Sequence, residues 1–302
     1  MARADWGAPS VAVTHESGKW LIEGQKQTAT LDDKTLTLEI NAQSANWKMV
    51  PSSTNDMIVE FHGKEFPLAL TDAKKISVEP YDTGFKTGVK LTLSDFRHGS
   101  DKLDLTLYLE VCLQGDAEDL VFDIAATEGD AILRQLQWPT ALDSTGVDYV
   151  VLSNNKGDLL PNNWPQYYFP IRSSSTNDHS VLQSHVIEDW GMSFWGFEKG
   201  KSAMMVICET PDDAAYQFSH PAGGPTIIGP QWNTTLGKFG YMRTARMSFF
   251  PEGNYVTMAK RYRQYVMDTG LFVSLKEKIA KKPLLADVIG MPETRVVILH
   301  NQ

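Results

Sequence analysis

Leu103, Leu105, Leu107, Leu109, Val111 and Leu113 alternate with Asp104, Thr106, Tyr108, Glu110 and Cys112. An extended strand turns successive side chains to opposite faces, so this stretch is a half-buried strand, and no helical period sorts it. The same alternation recurs in Thr35–Ile40 and Val89–Leu93, and similar short runs lie at 19–23, 57–61, 75–79, 120–126, 131–138, 147–152, 203–209 and 241–250. Turn-forming clusters divide them, among them Gly115-Asp116, Glu128-Gly129-Asp130 and Pro221-Ala222-Gly223-Gly224-Pro225. Between Val11 and Phe250 no long helical-period run intervenes, which argues against parallel βαβ units and for antiparallel sheets stacked face to face. No repeat of fixed length points to a propeller or solenoid. The expected fold is mainly β, a large antiparallel β-sandwich.

The chain has 302 residues, 42% hydrophobic and 22% charged, enough apolar side chain for a substantial core. Wholesale disorder and a disulfide-stapled miniature scaffold are both excluded. Its 28 Lys and Arg against 37 Asp and Glu leave a net charge of −9, against a general nucleic-acid binder, which needs a basic face. Residues 1–253 hold 20 basic and 33 acidic side chains, whereas 254–282 hold 7 and 2, so a structural boundary is expected near Gly253. Cys112 and Cys208 each sit inside an apolar β-like run and read as inert core thiols. No stretch has the ~18–20 uncharged apolar residues of a membrane span. Met1-Ala2-Arg3-Ala4-Asp5-Trp6 lacks the apolar core of a secretory leader.

At Asn254 the period changes from two to helical. Tyr255, Met258, Ala259, Tyr262, Tyr265, Val266 and Thr269 recur at spacings of three and four, with Asn254 as N-cap and Gly270 as the stop. A second, shorter helix opens with Ser274-Leu275-Lys276-Glu277, which has capping-box spacing, and ends before Pro283. A helix of about 15 residues is marginal alone in water, so the Tyr/Met face must dock on the sandwich or on something outside this chain. Beyond Pro283 the run Thr294-Arg295-Val296-Val297-Ile298-Leu299-His300 has the continuous apolar character of a strand buried on both faces in a parallel sheet or barrel; an added edge strand of the sandwich is the alternative. The expected organisation is a β-sandwich over 1–253, a helical linker over 254–282 and the start of a further domain over 283–302.

The seven histidines, at 15, 62, 98, 179, 185, 220 and 300, show no metal-ligand spacing, and no cofactor or metal site is expected. Nucleophile elbows and phosphate loops are absent; Gly223-Gly224 lies between prolines and opens no helix. Asp158, Glu188 and Asp189 stand in aromatic-rich surroundings where burial raises a carboxyl pKa; solvated loop carboxylates are the plain alternative. Five of the eight tryptophans, 138, 164, 190, 195 and 232, fall within 95 residues. The apolar run around Trp195 marks that ring as core. Trp164 differs, because Asn162, Asn163 and Gln166 surround it in a loop, and amides beside a flat ring suit sugar hydroxyls and the apolar face of a pyranose. Asp158, Asn162, Asn163, Trp164, Tyr167, Tyr168 and Trp190 are therefore the candidate carbohydrate contacts, with loop packing as the competing role for 154–168.

The order of pieces carries a resemblance. A sandwich of about 250 residues followed by Gly253-Asn254-Tyr255-Val256-Thr257-Met258-Ala259-Lys260-Arg261-Tyr262-Arg263-Gln264-Tyr265-Val266, then Gly270-Leu271 and Leu275-Lys276-Glu277-Lys278, resembles the junction of sandwich and barrel in bacterial glycoside hydrolases of the endo-α-N-acetylgalactosaminidase-like group. The resemblance implies a galactose-mutarotase-like supersandwich followed by an (α/β)8 barrel that carries the catalytic carboxylates, so no catalytic residue transfers to this chain. It also implies a glycan and a C-terminal barrel as partners, with an extracellular or periplasmic location. Two rivals stand beside it. One is a stand-alone carbohydrate-binding module using Trp164 or Tyr167. The other is an aldose epimerase, for which Asn177-Asp178-His179-Ser180 faintly resembles a mutarotase segment, with His98 and Glu188 as partners.

Overall fold

The computed structural model describes residues 2–43, 45–154, 157–164, 181–220 and 225–291, with the side chains of all of these except 6, 181–184, 188 and 189. It divides into two compact units, Met1–Ala259 and Lys260–Gln302. The first is a mainly β, antiparallel sandwich. Its larger sheet has nine strands in the order Asp158–Pro161, Tyr149–Asn154, Trp190–Lys199, Ser202–Cys208, Arg243–Phe250, Asp119–Glu128, Leu105–Gln114, Lys86–Ser94 and Lys75–Asp82. A seven-stranded sheet runs Val181–His185, Ala214–Ser219, Ile227–Asn233, Ile132–Leu136, Met57–Phe61 and Lys64–Leu68, with Leu142–Asp143 paired to Ile227–Asn233 off that path. The first 48 residues contribute a five-stranded meander from Ala12–Glu16 to Ala45–Lys48.

The strand that most constrains the fold behaves as its alternation requires. In Leu105–Gln114, Leu105, Leu107, Leu109 and Val111 are buried while Thr106, Tyr108 and Glu110 are only partly covered, and Leu103 joins the core from the preceding turn. Core residues of all three sheets form one cluster. Across it, Trp190 and Trp195 of the larger sheet pack on Tyr216 and Phe218 of the seven-stranded one. Burying a Trp removes ~150–250 Å² from water, a gross ~4–6 kcal/mol each, so such rings dominate the adhesion of the two layers.

Two expectations need correction. The alternation from Thr35 does not begin a strand there. The Asp32 carboxylate accepts from the backbone N–H of Lys34 at 3.0 Å and of Thr35 at 2.9 Å, closing a turn. Leu36 then takes φ +53°, and the strand starts at Leu38. The strands Gln27–Asp32, Ala45–Lys48, Lys64–Leu68, Ala214–Ser219 and Ile227–Asn233 escaped notice, being short and mixed in polarity.

The helix Tyr255–Asp268 is bounded as its caps dictate. Asn254 Oδ1 accepts from Val256 N at 3.0 Å and Thr257 N at 3.3 Å, and Gly270 ends it at φ +73°. Its first turn belongs to the sandwich unit, where Tyr255 N donates to Glu198 Oε1 at 2.6 Å and Met258 is fully buried. Met258 fits only because residue 196 is glycine; a Cβ there would come within 2.6 Å of its sulfur. In the second unit Ser274 and Glu277 form the expected capping box at the head of Leu275–Lys281. The apolar run 294–300 lies outside the described residues. Among the described residues, no helix is long and apolar enough to cross a membrane.

Candidate functional site

The loop singled out for its amides and indole lies at one edge of the nine-stranded sheet. There Tyr149–Asn154 turns into Asp158–Pro161, with Leu152 opposite Asp158. Asn162 does not project outward. Its Nδ2 donates to Ser144 O at 2.9 Å, its Oδ1 accepts from Ser144 Oγ, and its backbone N donates to Asp148 O at 3.0 Å. Asn163 is exposed.

Trp164 is buried, at 4% exposure, and its ring stacks on His220 with centroids 4.0 Å apart and planes 9° from parallel. Hydrogen bonds hold both nitrogens of this buried imidazole. Nε2 lies 2.6 Å from the Trp164 carbonyl, which only accepts, so Nε2 donates; Nδ1 lies 3.0 Å from Thr226 Oγ1. Thr226 Oγ1 in turn accepts from Trp164 Nε1 at 3.4 Å, and Thr226 N donates to Ser144 Oγ at 2.8 Å. Ser144, Asn162, Trp164, His220 and Thr226 thus form one network that ties the loop to the seven-stranded sheet. The ring face expected to meet a pyranose is taken by His220.

Trp190 also departs from expectation. It is 7% exposed, parallel to Phe218 at 6.0 Å and edge-on to Tyr216 at 4.6 Å, because its strand pairs deep in the sheet between Tyr149–Asn154 and Ser202–Cys208. Trp195 is core, as its surroundings predicted. Tyr167 and Tyr168 lie outside the described residues, as do Asn177, Asp178 and His179 and the side chains of Glu188 and Asp189. His98 is exposed and stacks on Phe66 at 4.0 Å.

Among the described candidates, Asp158 lies in the kind of setting the sequence suggested. It borders a cavity of about 240 Å³ with Leu152, Leu159, Met192, Phe194 and Tyr255, and burial pushes its carboxyl above the usual range. The aromatic ring beside it is Tyr255, half-exposed at the first turn of the helix, which sequence periodicity placed on a buried face. A carboxyl and an open ring at one apolar cavity suit a sugar's hydroxyls and C–H face. Cys112 and Cys208 are buried, and burial raises both thiols, Cys208 to about 12, so neither is a nucleophile at neutral pH. Among the described residues no group of three or more His, Cys, Asp or Glu is placed to hold a metal ion.

No protein-family model matches the chain, and no curated protein does. Among solved structures, the α-N-acetylgalactosaminidase NagBb of Bifidobacterium bifidum in complex with GalNAc superposes on 92% of this chain at a TM-score of 0.73 and 21% identity. The ligand-free form of that enzyme matches the same share at 0.69 and 20% identity. The chain spans 42% of the length of the NagBb chain. At this identity the likeness is one of fold, and the chain has the fold of a β-sandwich region of a glycoside hydrolase.

Proposed function

We propose that this chain is the sandwich portion of a carbohydrate-active glycoside hydrolase, that it carries none of the catalytic carboxylates, and that it supports a catalytic barrel. The observation that carries the proposal is the superposition of nearly the whole chain on less than half of an α-N-acetylgalactosaminidase. The second unit supports it. Leu271, Leu275, Leu284, Val288, Ile289 and Met291 are all more than half exposed, and Leu275–Lys281 buries no residue, an apolar surface suited to a further domain. The cavity at Asp158 and Tyr255 is the part of the sandwich we assign to glycan contact, in place of the Trp164 ring. That cavity also favours the second reading, a carbohydrate-binding module that works without a barrel.

The purified chain is expected to release no aryl alcohol from aryl α-N-acetylgalactosaminides; turnover abolished by one point substitution would overturn the proposal. Tyr255→Ala is expected to weaken retention on a glycan array, and undiminished retention would remove the Asp158 cavity from consideration. Freshly dissolved α-galactose is expected to mutarotate at the buffer rate in its presence; acceleration would restore the epimerase.

A further inference from the structure

The face of the seven-stranded sheet that turns away from the core carries a row of amides. Gln135 and Asn233 are directly opposite each other, as are Gln217 and Gly229, and Tyr216 and Phe218 alternate with Gln217 by pointing into the core. Most of these amides satisfy one another: Gln135 Nε2 donates to Gln231 Oε1 at 2.7 Å, and Gln231 Nε2 donates to Asn233 Oδ1 at 2.9 Å. Gln217 is different. Its Oε1 is buried and, among the described residues, has no donor. A buried acceptor without a partner is costly, and each such group in a native structure asks for an explanation.

Gln217 borders a cavity of about 250 Å³ together with Gln137, Asp56, Asn55, Ser53 and Ser219, over a floor that includes Ile227 and Ala141. The walls are built, not incidental. Gln137 is 4% exposed and lies across the sheet at Gly229, where a Cβ would come within 2.5 Å of its Nε2. Its backbone N donates to Asp56 O at 2.7 Å, which ties the two walls together. Asp56 is 2% exposed, and Ser52 Oγ at 2.5 Å, Ser53 N at 3.0 Å and Leu70 N at 3.0 Å all converge on its Oδ2. Oδ1 receives none of these three bonds.

We propose that this cavity is a binding site for one neutral sugar ring, whose hydroxyl or amide N–H groups supply the donor that Gln217 lacks. The lining selects this chemistry. Among the described residues no Lys, Arg or His borders the cavity and a carboxyl does, which disfavours phosphate, sulfate or carboxylate ligands; no aromatic ring of those residues borders it, which disfavours a nucleobase. Two glutamine amides, an asparagine, a carboxyl and two serine hydroxyls offer the mixed donors and acceptors that a polyol needs, over a small apolar floor for its C–H face. A half-turn of the Gln217 amide presents either its oxygen or its nitrogen to the ligand. The site stands apart from the Asp158 cavity, and it holds whether or not the chain supports a barrel.

The test is titration of the whole chain with galactose, N-acetylgalactosamine and glucose, and with glucose 6-phosphate as the anionic control, read by calorimetry and by the side-chain amide NMR signals of Gln137 and Gln217. At least one neutral sugar is expected to bind with Kd of ~1 mM or tighter and to shift those signals, with the phosphorylated sugar weaker. Gln217→Met, which keeps the length and removes the unpaired acceptor, is expected to weaken binding at least ~10-fold and to leave Tm unchanged or higher. If that variant fails to fold, Asn55→Ala on the exposed rim replaces it, with weakened binding expected. The proposal is overturned if no neutral sugar binds, if the substituted chain binds as before, if the amide signals stay in place while a sugar binds, or if Gln217→Met folds but with a lowered Tm.

Discussion

The outward faces of the two sheets treat buried polarity in opposite ways. On the nine-stranded sheet, Lys90, Glu110, Asp123 and Thr244 stand directly opposite one another across four strands. Lys86 Nζ and Thr244 Oγ1 both bond the Asp123 carboxylate, the latter at 2.7 Å, and Arg246 bonds Glu209 at 2.5 Å and Asp119 at 3.2 Å. Burial and the neighbouring Asp123 push the Glu110 carboxyl up, with Lys86, Lys90 and the Tyr81 hydroxyl working the other way. On the seven-stranded sheet one ion pair, Arg134 with Glu60 at 2.6 Å, stands beside a row of neutral amides, and among the described residues one amide acceptor is left over. Charges withdrawn from water must be matched on the spot, and on the first face they are, beside a cavity of about 290 Å³ bordered by Lys90, Tyr108, Glu110 and Asp123; amides tolerate a gap, and the cavity on the second face keeps an unmatched acceptor.

The largest effect that sharpens this contrast is expected at Arg243, fully buried between the rings of Phe239 and Tyr241 and bonded to Asp213 at 2.7 Å. Burial alone would raise the Asp213 carboxyl, but hydrogen bonds from Thr235, Tyr241 and Arg243 hold it below the usual value. Arg243→Met strands that carboxylate and is expected to cost about 3–5 kcal/mol in urea unfolding at pH 7. A loss below ~1 kcal/mol would show that charge matching is not what holds this end of the sandwich.

Asp56 supplies the next effect, with the opposite sign. Burial pushes its carboxyl up to about 6, so the folded chain binds more protons than the unfolded chain between ~pH 4 and 6. Its contribution is therefore present below ~pH 4 and lost as pH rises through about 6, amounting to at most about 3 kcal/mol. The difference between the parent chain and Asp56→Asn, measured by urea midpoints from pH 4.5 to 7.5, is expected to track that window; a flat difference would contradict it. Thr226→Val deprives His220 Nδ1 of its hydrogen-bond partner and Trp164 Nε1 of the Thr226 hydroxyl, and a loss of about 1–3 kcal/mol is expected. The smallest effects compare two neighbours on one face. Gln135→Leu removes the donor to Gln231 and is expected to cost about 1 kcal/mol, whereas Gln217→Met is expected to cost nothing or to gain up to about 1 kcal/mol. Equal losses at both would erase the distinction drawn between them.

What could be seen beforehand and what could not follows from the range of the forces. Asn254, Gly270 and the Ser274–Glu277 box act within one helical turn, and the helix ends fall where they indicate. The setting of Trp164 was not legible beforehand because its neighbours in sequence are amides, while its neighbours in space, His220 and Thr226, lie 56 and 62 positions away. One local signal for the amide cavity did exist: Gly229, alone in the strand Ile227–Asn233, marks a close approach by something from outside that strand.

The sequence by itself determined that this chain is built of antiparallel strands with a helical stretch after residue 253, because period and caps are properties of a few adjacent residues. Only the tertiary structure decided which polar groups meet. Asp56, Gln137 and Gln217 come from three separate segments, and Arg246 reaches Asp119 across 127 positions, through strand pairings that no local pattern specifies. Whether a buried amide or carboxyl is satisfied depends on those partners, so the sites are products of the pairing of the sheets.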